Sequence, residues 1–351
     1  MKAVRLLAPE QPLEVLDVPD PTPADDEVLV KVAGCGVCHT DIGFWLDGVP
    51  TNRELPLTLG HEISGTVVDA GAQYHEMIGR EVIVPAVIPC GDCELCTAGR
   101  GNVCRSQIMP GNDIDGGFAE FVVVPGRGLC PAEDRGTYEL ADVAVVADAV
   151  TTPYQAIIRS GLEAGELAIV VGVGGVGTHC AQIAAALGAT VIALDVDDDR
   201  LAAVEGFGPS LTLNPGSMDF RSLKGEVRAH AASHGCSPHG WKIFECSGSA
   251  AGQQTAYGLL THAATLVVIG FTLAKTELRL SNLMAFDATV IGTWGCRPEL
   301  YREALDLVAR ERIQLRPFIE IASMSSGPDV LRAVADHEMR RRAILVPDWN
   351  E

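Results

Sequence analysis

Residues 167–177 read LAIVVGVGGVG. Five consecutive apolar residues, most of them β-branched, make a buried strand that runs into Gly172, Val173, Gly174, Gly175, Val176 and Gly177, a G-x-G-x-x-G turn. The next stretch, VGTHCAQIAAALG, places Val176, Cys180, Ile183, Ala184 and Leu187 on one helical face. A second strand, TVIALDV, reaches Asp195 eighteen residues after Gly177. In this strand–turn–helix–strand setting each glycine has a task. Gly172 allows the tight turn, Gly174 lets the backbone approach a pyrophosphate, and Gly177 lets the helix pack close to the strand. The helix start at Gly175 and Val176 offers amides and positive potential to phosphates. Asp195 is placed to take ribose hydroxyls, and Arg200 to contact the adenosine ribose. Asp197, Asp198 and Asp199 add negative charge where a 2′-phosphate would need a cation, which favours NAD over NADP. The bland alternative is a glycine-rich turn in an α/β protein that binds no nucleotide.

Around this turn the alternation continues. KIFECSG and TLVVIGF are further strands separated by helical patterns, so residues 151–294 read as a doubly wound parallel sheet. Residues 1–150 have a different texture: VLDV, EVLVKVAG, GHEISGTVVDAG, EVIVPAVI and FAEFVVVP are short strands broken by glycine and proline. Residues 295–351 hold one amphipathic helix, ELYREALDLVARERI, and a mixed tail. A length of 351 residues with 37 glycines and 20 prolines suits two α/β or β-rich domains. The formal charge of −20 argues against nucleic acid and anionic membranes as partners. No apolar run is long enough for a signal peptide or a membrane span, and the cytoplasm is the expected compartment. The run Arg340, Arg341, Arg342 reads as a solvated face, with an anion-binding patch as the alternative.

Cysteine usage carries the remaining chemistry. Cys90, Cys93, Cys96 and Cys104 have gaps of two, two and seven residues. One loop with that spacing can wrap a metal with four thiolates; zinc is the expected occupant and an iron–sulfur cluster the alternative. Such a closed site leaves no position for substrate, so it is structural. The segment GCGVCHTD offers Cys38, His39, Thr40 and Asp41, and GHE offers His61 and Glu62, all types found in open zinc sites. Cys35, Cys130, Cys180, Cys236, Cys246 and Cys296 read as buried apolar residues.

Taken in order, CHTD, GHE, the four-cysteine lobe, GVGGVG and FECSG resemble the zinc-dependent medium-chain alcohol dehydrogenase family along nearly the whole chain. The resemblance implies a GroES-like β-rich catalytic domain (1–150, with a return at 295–351), a Rossmann NAD-binding domain (151–294), two zinc ions per chain, and a homodimer or homotetramer. It assigns Cys38, His61 and Asp148, the last from DAVTTPYQAI, as catalytic zinc ligands. Glu62 becomes the acidic neighbour of the metal, Thr40 the hydroxyl that bonds the substrate alcohol, Asp41 the group that orients His61, and His39 a contact to the cofactor pyrophosphate. Gly43 stands where many relatives carry a relay histidine. Proton exit is therefore expected through the cofactor ribose and water, or through His39 or Glu62.

Within the family, GFWLDGVP, PAVIPCGDCELC and PGNDIDGGFAEFVVVP resemble most the 6-hydroxycyclohex-1-ene-1-carbonyl-CoA dehydrogenases of anaerobic aromatic degradation. That implies an acyl-CoA alcohol as substrate, with zinc-assisted addition of water to the enone product as a second activity. The competing expectations are a dehydrogenase of small primary or secondary alcohols, and a non-catalytic cofactor-binding relative.

Overall fold

The computed structural model describes residues 1–349. The chain divides into two units, one of Met1–Thr151, Gly295–Arg310 and the chain from Leu315 onward, the other of Thr152–Trp294 and Glu311–Gln314. Residues 311–314 go with the second unit because Gln314 N donates to Gln182 Oε1 (2.8 Å) and Gln182 Nε2 donates to Gln314 O (3.1 Å). No helix among the described residues is long and apolar enough to cross a membrane.

The first unit contains β1 (Lys2–Leu6), β2 (Glu14–Asp17), β3 (Glu27–Gly36), β4 (Leu57–Thr58), β5 (Glu62–Ala70), β6 (Glu81–Val84), β7 (Phe121–Pro125) and β8 (Cys130–Pro131). β1 lies between β2 and β4 in a small antiparallel sheet. In the second unit β9 (Leu167–Val171), β10 (Thr190–Leu194), β11 (Leu211–Leu213), β12 (Lys242–Glu245), β13 (Thr265–Val268) and β14 (Thr289–Gly292) form one parallel sheet in the order β11-β10-β9-β12-β13-β14. All five residues of β9 are buried, as a strand covered on both faces requires. Strand order reverses between β9 and its neighbour β12, and ligands of open α/β sheets bind at such a reversal.

The chain then returns to the first unit with β15 (Ile319–Ser323) and β16 (Arg342–Val346). They complete a seven-stranded sheet, β15-β16-β3-β5-β6-β8, with β7 also on β3. β3 is its spine. One edge pairs with β5 throughout, and the other takes β7 along Glu27–Lys31 and β16 at Cys35 and Gly36. Val30, Val32, Ile63, Val82, Val84, Phe118 and Leu345 pack in the core around it. Each such buried side chain contributes about 1.5–3 kcal/mol, so the C-terminal end of β3, where the cysteine segment leaves the sheet, is rigidly held.

Candidate functional site

β3 ends at Gly36, and two residues later Cys38 caps the helix His39–Trp45. Asp41, in the first turn of that helix and fully buried, organises everything nearby. Its Oδ2 accepts from Cys38 N (2.9 Å) and its Oδ1 from Gly60 N (3.1 Å), and Oδ1 also lies 3.3 Å from His61 Nδ1. A carboxylate behind one ring nitrogen orients the imidazole and turns the other nitrogen outward. His61 Nε2 accordingly faces Asp148 Oδ2 at 3.7 Å. Asp148 follows the 3₁₀ stretch Asp142–Ala147, which Ser64 of β5 anchors by donating to Leu140 O (2.6 Å).

Cys38, His61, Glu62 and Asp148 each bring one ligand atom into a group whose members lie within 4.8 Å of one another. Both His61 ring nitrogens and Glu62 Oε2 are buried and make no hydrogen bond among the described residues, Nδ1 lying in ion-pair range of Asp41. Burial would raise the Cys38 thiol, but the Arg342 charge and His61 outweigh it and hold the thiol below its ordinary value. Burial would lower His61, yet Asp41 and then Asp148 hold it well above its ordinary value. A thiol, an imidazole and carboxylates converging on one point form the donor set a divalent zinc ion fits.

The sequence reading placed Arg342 on a solvated face, and the structure corrects this. Arg340 and Arg341 are exposed, but Arg342 begins β16 and turns inward. Its Nη1 donates to Glu62 Oε1 (2.8 Å) and to Val37 O (3.1 Å). Burial would lower its pKa, but Glu62, Cys38 and Asp148 hold it above the ordinary arginine range, so it is a fixed cation beside the group. Glu62 itself is pushed well above the usual carboxylate range by burial, with Arg342 pulling against that rise.

Gly36 faces Glu62 across the β3–β5 ladder, and a Cβ there would run into Glu62 Oε2. Gly36→Ala is therefore expected to displace Glu62 from the group and to break its pairing with Arg342. Loss of the 2.8 Å contact in a crystal structure of the variant, with lowered activity, is the check.

Thr40 Oγ1 lies 3.6 Å from Cys38 Sγ. His39 stacks on His337, with ring centroids 5.7 Å apart and planes at 21°. His337 holds a left-handed φ of 58°, and nothing in the sequence marked this partner.

The second group, Cys90, Cys93, Cys96 and Cys104, is closed. Its sulfur–sulfur separations are 3.4 Å (Cys90–Cys104), 3.5 Å (Cys93–Cys96), 3.7 Å (Cys93–Cys104) and 3.8 Å (Cys90–Cys96). A tetrahedron with Zn–S bonds of about 2.3 Å has edges of about 3.8 Å, so the lobe is shaped for such an ion. Against the effect of burial, the amides of Cys90 and Ser106 bring the Cys104 thiol down to about 7.

Residues 24–134 match the alcohol dehydrogenase GroES-like domain, and residues 175–310 match the zinc-binding dehydrogenase family. An alcohol dehydrogenase of Geobacillus stearothermophilus is 30% identical over 349 residues, 98% of each chain. The chain belongs to the zinc-dependent medium-chain alcohol dehydrogenase family. The alcohol dehydrogenase structure from Aeropyrum pernix superposes on this dehydrogenase with a TM-score of 0.88 at 27% identity, covering 99% of this chain and 100% of that one. A structure described as a zinc-binding dehydrogenase of Sinorhizobium meliloti 1021 bound to NADP gives a TM-score of 0.86 at 29% identity, covering 99% of both. The β-rich unit is thus GroES-like and the parallel sheet Rossmann-like, and the dehydrogenase's two groups are consistent with two zinc ions per chain.

In the Rossmann-like unit of the dehydrogenase, Gly172 has a φ of 88°, and a Cβ on it would lie 2.6 Å from Ser247 Cα. A Cβ on Gly177 would run into the Gly172 carbonyl. Gly174 caps the helix Gly175–Ala186, which begins with Gly175 and Val176. Asp195 is nearly buried; its Oδ2 accepts from Val173 N (2.8 Å) and its Oδ1 from Asp197 N (3.0 Å). It therefore braces the glycine turn. Asp197 caps the next helix by accepting from Asp199 N (2.9 Å) and Arg200 N (3.3 Å), and Asp198 accepts from Asn214 (2.7 Å). The Arg200 guanidinium reaches to 3.8 Å from where a Gly174 Cβ would stand. Among the other cysteines, Cys246 departs from expectation. It is only half-buried, because it sits just past the end of β12, where the chain leaves the sheet.

Proposed function

We propose that this dehydrogenase oxidises a secondary alcohol to a ketone with NAD, with Cys38, His61 and Asp148 holding the catalytic zinc and the four-cysteine lobe a structural one. The observation that carries this reading is the convergence of Cys38, His61 and Asp148 around a buried imidazole nitrogen that has no hydrogen-bond partner among the described residues. When bound, the zinc supplies Lewis acidity to the alcohol oxygen, and the nicotinamide supplies the hydride acceptor. Asp41 fixes His61 and frees Nε2 for the metal. Thr40, one residue past the helix cap and 3.6 Å from Cys38 Sγ, takes the hydroxyl proton at Oγ1. As it accepts, Thr40 gives up its own proton; Gly43 has no side chain to receive it, so it leaves through the cofactor ribose and water, or through His39 or Glu62. Arg342 keeps Glu62 paired and near the metal.

Asp197, Asp198 and Asp199 follow β10 and Asp195 with negative charge where a 2′-phosphate would need a cation, which supports NAD over NADP. Arg200 is assigned to the adenosine ribose and His39 to the pyrophosphate. Asp195→Ser is expected to raise the KM for NAD about tenfold or more, the cost of losing a hydrogen bond to a charged group. Titration of NADH binding by fluorescence checks it.

The finer reading of the substrate is 6-hydroxycyclohex-1-ene-1-carbonyl-CoA, supported by the resemblance of residues 43–50, 85–96 and 110–125 to that branch. The enone it yields is electrophilic at the ring carbon, and water addition assisted by the zinc site is the second activity proposed. A cytoplasmic dimer or tetramer is proposed as the working form. The edge strand β14 and the exposed Leu280, Met284 and Val290 near it support pairing with a second copy. NADH formation is measured with simple secondary alcohols and with the cyclic hydroxyenoyl-CoA side by side. Turnover of the thioester at least as efficient as that of simple alcohols supports the finer reading. Turnover of simple alcohols alone reduces it to the general one, and no turnover of either overturns both.

A further inference from the structure

The returning segment Gly295–Tyr301 grips the first unit at two places. Arg297 Nη1 donates to Gly99 O (3.0 Å) in the cysteine lobe. Four residues on, Tyr301 is fully buried, and its hydroxyl stands between two backbone groups: it donates to Ala147 O (2.5 Å) and accepts from Ala86 N (3.1 Å). Ala147 immediately precedes Asp148. The Thr151 hydroxyl donates to the same carbonyl at 3.1 Å.

Asp148 needs such support. It lies between a 3₁₀ stretch and the helix Thr151–Ser160, at φ −142° and ψ −57°, outside either regular element. A carboxylate on irregular backbone holds its direction only if the peptide behind it is fixed. Phenylalanine would fill the same volume as Tyr301, and the hydroxyl is what joins Ala86 to Ala147. Burial pushes the phenol well above the ordinary tyrosine value, so the hydroxyl keeps its proton and its donor role at neutral pH.

We propose that Tyr301 is a positioning residue for Asp148, its hydroxyl locking the Ala147 peptide so that the carboxylate stays within the metal group. This rests on the reading of Asp148 as the third zinc ligand. The test is cobalt loading of the metal-depleted enzyme against a competing chelator. The four-thiolate and one-thiolate centres are distinguished by the intensity of their sulfur-to-metal charge-transfer bands.

Tyr301→Phe is expected to weaken cobalt binding at the one-thiolate centre about tenfold, the lower end of what groups holding a ligand from behind contribute. The four-thiolate centre should be unchanged. Thr151→Val removes the other donor to the same carbonyl and is expected to shift the same centre in the same direction. Val308→Ala opens a gap two turns along the same helix without touching the hydroxyl, and should leave both centres as they were. An unchanged one-thiolate centre in Tyr301→Phe, or an equal loss in Val308→Ala, overturns the proposal. Asp148→Ala, which leaves no side-chain oxygen to bind a metal, separates the two readings. If it leaves the one-thiolate centre intact, Asp148 is not a ligand; if it abolishes that centre while Tyr301→Phe does nothing, only the role of Tyr301 falls.

Discussion

His61→Ala is expected to leave one zinc ion per chain and to lower kcat by about a thousandfold or more. A metal acting as a Lewis acid supplies several kcal/mol of transition-state stabilisation, and about 4 kcal/mol corresponds to roughly three orders of magnitude in rate. The neighbouring Asp41 makes the effect specific. It already bonds the Cys38 and Gly60 amides, so the loop from Cys38 to Gly60 stays in place when the ring is removed. Metal analysis should therefore show loss from this group alone, because the cysteine lobe shares no ligand with it. Glu62→Gln should behave differently, since Glu62 is already engaged by Arg342 through one oxygen; it should retain two zinc ions with a smaller drop in rate. Two zinc ions in His61→Ala, with turnover near that of the parent, would refute the assignment of the centre.

Arg342→Met should cost about 3–5 kcal/mol of stability, the usual penalty for leaving a buried charge without its partner. Both members of the pair are buried, and Glu62 Oε2 makes no hydrogen bond among the described residues. The double variant Glu62→Gln/Arg342→Met should recover most of the loss, because neither partner then carries a buried charge. A lowered denaturant midpoint in the single variant, largely restored in the double, is the expected pattern. Equal loss in both variants would mean that the arginine acts through the packing of its stem along β16.

The glycine turn was legible because its meaning is local. A strand, three glycines, a helix and an acid occur within thirty residues, and each answers to a nearby geometric need. The four cysteines were legible for the same reason. Arg342 was not. Three consecutive arginines look solvated, and only the register of β16 against β3, Ile344 opposite Gly36 and Leu345 opposite Cys35, decides that the third turns inward. Tyr301 was hidden on an amphipathic helix whose pattern explains an apolar ring there but is silent about its hydroxyl. Gly36 was not singled out, since the Glu62 carboxylate that needs its space lies on the neighbouring strand. His61 and Asp41 stand between these cases: their types suggested a metal, and their 3.3 Å contact needed the fold.

Glu62 and Arg342 are 280 residues apart in the chain, joined through the spine strand β3. During synthesis, at about 5–20 residues per second, Cys38, His61 and Asp148 all emerge well before their cation. A nascent chain that has passed Asp148 but not Arg342 carries the metal donors without the guanidinium beside them. In that interval Glu62 lacks the guanidinium that pairs it in the folded chain, so the complete group is assembled only when β16 docks on β3.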